Sequence, residues 1–117
     1  MMRPRFLSIL RRFREARAPA RRIGLAWYSE DEWSLLREVS ADAGELELTH
    51  AQWLRVAEAK YDELIKKGVP IVKVPVNVAD MARWCREMGR PVNSEGRSLY
   101  TAFRLETPKD AKLPFSR

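Results

Sequence analysis

Apolar residues recur at helical spacing in five stretches of this chain and gather into short runs in two others. Phe6, Ile9, Leu10 and Phe13 fall at i, i+3, i+4 and i+7, one stripe of a 3.6-residue helix, with Arg5, Arg11 and Arg12 mostly opposite. Pro19 stops that segment, and residues 18–22 read as a linker. Residues 23–28 form a short apolar run of strand length. Ser29 to Glu32 then has the form of a capping box, Ser at the N-cap and Glu at N3, with acids suited to the positive end of a helix dipole. It predicts a helix over residues 30–41 with Trp33, Leu36 and Val39 inward, ended by Ala43-Gly44.

A second box, Thr49 to Gln52, opens the strongest helix, residues 50–67. Its apolar face is wide: Trp53, Leu54, Val56, Ala57, Tyr61, Leu64 and Ile65. Lys66-Lys67-Gly68 places cations in the last turn and Gly just past it. Residues 69–76 are β-branched and too short for a helix, and Pro70 and Pro75 remove two ladder donors, which points to an edge strand. Asn77 or Asp80 starts a further helix to Met88, with Val78, Met81, Ala82, Cys85 and Met88 on one face. Gly89 caps it and Pro91 prevents continuation. Asn93 caps a last helix over residues 94–105, with Leu99, Ala102 and Phe103 inward. Residues 107–117 read as a frayed tail.

The order is arm-β-α-α-β-α-α. This is a helix-dominated α+β fold with a small two-stranded sheet, strands 23–28 and 69–76. The strands lie far enough apart to pair in parallel through a right-handed crossover. Residues 23–106 are expected to form one globular domain, since 117 residues support a single modest core. Four tryptophans, Trp27, Trp33, Trp53 and Trp84, are many for this size and are expected to anchor that core.

Charge divides the chain. Arg3, Arg5, Arg11, Arg12, Arg14, Arg17, Arg21 and Arg22 face a single acid, Glu15, in the first 22 residues; the remainder carries fourteen basic against fifteen acidic residues. The alkaline balance therefore belongs to an arm and not to the domain. The eight arginines are candidate contacts for nucleic-acid phosphates. With Phe6, Ile9, Leu10 and Phe13 buried at headgroup level, the arm would instead lie on an anionic membrane. Its Arg-rich, acid-poor composition also suits a transit peptide. A GC-rich coding region read upstream of the true start would give the same composition and no role at all.

Cys85 is the sole cysteine and His50 the sole histidine, so no intrachain disulfide forms and an ordinary zinc site is not expected. No apolar run approaches the ~20 residues of a membrane span. The chain is read as soluble and cytoplasmic, without a cofactor. Cys85 as a nucleophile needs an exposed thiolate; its apolar helix neighbours predict a buried, inert thiol instead. His50 reads as an exposed first-turn residue. Glu30, Asp31 and Glu32 diverge by about 100° each on a helix and do not converge on an ion. Residues 78–105 have the outline of a helix-turn-helix, which would present Ser94, Glu95, Arg97, Ser98, Thr101 and Arg104 to DNA. A helical hairpin packed on the strands is the commoner arrangement.

Trp27-Tyr28-Ser29-Glu30-Asp31-Glu32-Trp33, Trp53-Leu54, Val72 to Val76, Trp84-Cys85, and Arg97 near Tyr100 together resemble a family of small bacterial proteins with no known activity. The likeness spans Trp27 to Phe103, about two-thirds of the chain. It implies a shared fold and no catalytic or cofactor residue. With no catalytic constellation visible, the expected function is non-enzymatic, through contact with a protein partner or a second copy. Ile71, Val72, Lys73 and Val74 are the candidate edge-strand contact. The alternatives are a nucleic-acid-binding accessory protein using the arm, with Arg83, Arg86, Arg90, Arg97 and Arg104 extending it, and an enzyme using Cys85 or His50.

Overall fold

The computed structural model describes residues 21–107. The expectations for the first twenty residues and for the tail beyond Thr107 lie outside them. The fold is helix-dominated α+β in the predicted order: β1 (Ile23–Trp27), α1 (Glu30–Val39), a 3-10 turn (Ala43–Glu45), α2 (His50–Lys66), β2 (Ile71–Pro75), α3 (Val78–Glu87) and α4 (Ser94–Glu106).

Local chemistry sets the helix ends. Each helix starts at a side chain that accepts a free N–H of its first turn: Ser29, Thr49, Asn77 and Asn93. Thr49 and Gln52 satisfy one another reciprocally, Gln52 N–H to Thr49 Oγ1 at 3.1 Å and Thr49 N–H to Gln52 Oε1 at 3.2 Å. Two helices close on a left-handed glycine, Gly68 (φ 80°) and Gly89 (φ 70°). In both, the glycine N–H and the next N–H turn back onto the last helical carbonyls: Gly68 to Ile65 and Val69 to Leu64, Gly89 to Arg86 and Arg90 to Cys85.

β1 and β2 pair in parallel with Ile23 opposite Ile71 and Trp27 opposite Pro75. α4 packs chiefly on β1 and α2 on β2, while α1 and α3 pack on one another. Side chains alternate across a strand. Gly24 and Val74 therefore turn towards α4, while Trp27 and Lys73 turn towards α2. At Gly24 the approach is close: a Cβ there would lie 3.0 Å from methyl carbons of both Thr101 and Val74.

The main core lies beyond the carboxyl ends of the strands, between α1, α3 and α4. It contains Tyr28, Trp33, Leu36, Val76, Val78, Met81, Trp84, Cys85 and Tyr100. Of the four tryptophans, Trp33 and Trp84 are buried and Trp27 and Trp53 half-buried. They fall into two groups. Trp27, Tyr28, Trp33 and Trp53 interlock with ring centroids 5.2–5.7 Å apart. Trp84, Tyr100 and Phe103 form the other.

Several expected details differ. The Ser29 box is one-sided: Ser29 Oγ accepts from Glu32 N–H at 3.3 Å, but Glu32 Oε1 accepts instead from Val78 N–H at 2.8 Å, at the start of α3. α1 ends at Val39 and not at residue 41. Ser40 turns extended, and Ala41 N–H is held by the Val92 carbonyl at 2.8 Å. Val56 and Ile65 of α2 are 58% and 47% exposed, because a two-stranded sheet supports only a narrow stripe of the helix above it. Met88 is 58% exposed, since the helix has already ended at Glu87. On α4, Leu99 and Ala102 face outward and Gly96, Tyr100 and Thr101 are buried instead. Tyr100 supplies the largest fully buried side chain and sets that rotation.

Candidate functional site

The four residues expected to form a contact edge lie on β2, and the structure engages most of that edge internally. Ile71 and Val74 are buried in the core, Val72 is half-buried, and only Lys73 is exposed. Lys73 Nζ lies 4.3 Å from the ring centroid of Trp27 and 4.6 Å from that of Tyr61, a cation held against two aromatic faces.

Backbone direction decides which edge is open. Ile23 N–H donates to the Pro70 carbonyl at 2.9 Å and Val76 N–H to the Trp27 carbonyl at 3.0 Å. N–H and C=O of one residue point to the same side of a strand, and the side alternates. Residues 23, 25 and 27 therefore address β2, while Gly24 and Ala26 point away from it. On β2 the outward residues are Ile71, Lys73 and Pro75. Ile71 N–H is already taken by the Val69 carbonyl at 2.8 Å, and Pro75 has no N–H. Lys73 is left as the one outward donor of β2. Among the described residues, the outer edge of β1 keeps both of its donors, Gly24 and Ala26.

A groove of about 420 Å³ runs along that β1 edge, bounded on the other side by α4 through Ser98, Thr101, Ala102 and Leu105. Exposed Arg21 and Arg22 stand at its amino-terminal mouth, with Arg21 in a 3.4 Å contact to Glu106. Arg21 and Arg22 are the two arm arginines within the described residues. The other six, Arg3, Arg5, Arg11, Arg12, Arg14 and Arg17, lie outside them.

The remaining candidates occupy packing positions. Cys85 is buried against the backbone of Gly96, and burial pushes its thiol pKa up, away from the thiolate a nucleophile requires. His50 is half-buried and not exposed as expected. Its Nε2 lies 2.7 Å from the Tyr28 carbonyl, which only accepts, so Nε2 carries the proton and clamps α2 to the end of β1. Its ring also rests on Trp53. Nearby, Trp33 Nε1 and an Arg37 guanidinium N–H both donate to the Glu47 carbonyl, at 3.2 and 3.1 Å.

Arg97, expected on a basic surface and on a DNA-reading helix, is instead largely covered. It forms a bidentate pair with Asp42 at 2.7 and 2.9 Å, the two side chains 13% and 16% exposed, and it also reaches Ser40 Oγ at 3.3 Å. These hydrogen bonds hold the Asp42 carboxyl below the usual carboxylate range. Thr101 is buried under α4 and donates to the Arg97 carbonyl at 2.7 Å. α3 and α4 pack on one another, with α4 laid on the strands and α3 on α1, and the face a helix-turn-helix would offer to DNA is partly inside the molecule. No helix among the described residues is long and apolar enough to cross a membrane.

Compared with known proteins, the chain matches no family model, no curated protein and no solved structure.

Proposed function

We propose that this chain is a small non-enzymatic protein that works by contact with another polypeptide. The observation that supports it is the unequal pair of sheet edges. A sheet of only two strands leaves both outer edges exposed to recruitment unless each is blocked. On β2 the outward donors are reduced to Lys73, because Pro75 has no N–H and the Ile71 N–H is taken by the Val69 carbonyl. β1 presents Gly24 and Ala26 beside a groove. The candidate nucleophile and the candidate base, Cys85 and His50, are engaged in packing and in a backbone hydrogen bond.

The test is reconstitution. The full chain, purified from its native cell under mild conditions, is expected to bring down a partner in fixed stoichiometry, or a second copy of itself. The complex should re-form from the separated components. A chain that sediments as a strict monomer and re-forms no complex argues against the proposal.

A further inference from the structure

Resting on that reading, we infer that the β1 edge receives an extended peptide from a partner protein as a third strand, laid in the groove between β1 and α4. The peptide bonds to the outward backbone groups of Gly24 and Ala26 and carries an acidic residue towards Arg21 and Arg22. Four observations converge. The Gly24 and Ala26 N–H and C=O groups point away from β2, as the Ile23–Pro70 and Val76–Trp27 bonds require. Strand addition supplies partners to groups of this kind, main-chain bonds giving affinity and flanking pockets selectivity. α4 packs more on β1 than on β2, and its exposed Ser98 and Ala102, with half-buried Leu105, line the space beside β1 where an added strand would lie. Ala26 of β1 with Ala102 and Leu105 of α4 give the groove its apolar lining. The mouth carries exposed Arg21 and Arg22 against one acid, Glu106, which Arg21 contacts, and so keeps a net positive charge.

The occupant is a separate peptide and not a second copy. Edge-to-edge pairing of two β1 strands about a two-fold axis must be antiparallel for the outward groups to meet. It would bring two α4 helices to about one strand spacing, ~5 Å. Packed helices need ~8–10 Å.

The probe is a random twelve-residue peptide library displayed on phage and panned against the full chain. Selected peptides are then synthesised and titrated. The expected sequences alternate apolar residues and carry Asp or Glu near one end. On binding, the Gly24 and Ala26 amides are expected to become slow to exchange with solvent. Two variants locate the site. Ala26→Pro removes one outward donor without touching the β1–β2 ladder. Ala102→Glu, at an exposed position of α4, fills the groove with a carboxylate and keeps the inference testable if the proline variant fails to fold. Each is expected to weaken binding at least about tenfold. Peptides that bind both variants undiminished and leave Gly24 and Ala26 unchanged overturn the edge site while the contact function stands. A dimer of the full chain that Ala26→Pro dissolves overturns the peptide as occupant. Failure to enrich any peptide overturns the inference; the reconstitution experiment above then decides separately whether the chain has a partner at all.

Discussion

At Gly96, helix propensity and packing point in opposite directions. Alanine in an exposed helical turn is favoured over glycine by ~1 kcal/mol. Here a Cβ would lie 2.5 Å from the Pro91 carbonyl oxygen and 3.3 Å from Cys85 Sγ. Gly96→Ala is therefore expected to destabilise by about 1–3 kcal/mol in urea unfolding, the cost of overpacking. No change, or a gain, would show that α4 can move off the α3–α4 turn. Asp42 gives the second prediction at this scale. Removing it leaves the largely covered Arg97 guanidinium unpaired, so Asp42→Ala should cost about 2 kcal/mol, below the ~3–5 kcal/mol of a fully buried pair. The sign with pH follows from the lowered carboxyl pKa. A group whose folded pKa is depressed contributes stability above its unfolded value, ~4, and that contribution is lost as pH falls through the folded pKa. Stability measured from pH 7 downwards should fall below about pH 4 in the wild type, and that component should be missing in Asp42→Asn.

Among the elements, the helix ends were legible because their causes are local. Ser29, Thr49, Gly68 and Gly89 each act within a few residues of themselves, and the sequence places them at the right offsets. What the sequence does not carry is where a side chain goes once a distant element arrives. Glu32 stands at the capping-box position, yet it turns to Val78 N–H, forty-six positions along the chain. Val56 and Ile65 belong to the apolar face of α2 by periodicity, but a sheet of two strands is too narrow to cover them. The prolines mark β2 as the edge strand of the sequence reading. The direction of the backbone groups became readable only with the parallel register. Glu32→Ala should cost about 1 kcal/mol by leaving the Val78 donor without its partner, whereas Glu32→Gln, which keeps an acceptor oxygen, should cost much less. Equal losses would mean that the charge and not the hydrogen bond matters. Lys73→Ala, which loses the contacts to Trp27 and Tyr61, is expected to lower stability by about 0.5–1 kcal/mol and to leave peptide binding at β1 unchanged.

For the molecule as a whole, two parallel strands persist because helices cover both faces: α2 over β2 on one, and α4 over β1 and, less, β2 on the other. Two strands without such cover would be marginal. Room is left beside β1, under the outer flank of α4. Arg21 and Arg22 stand at the mouth of that space, and the sequence from residue 23 onward is near neutral. Amide hydrogen exchange along β1 in the free full-length chain, read residue by residue by NMR, tests the central claim that this edge is open. Leu25 and Trp27, bonded to β2, should exchange at least about a hundredfold more slowly than Gly24 and Ala26. Equal protection of all four amides would contradict the account, because it would mean that the β1 edge is already closed.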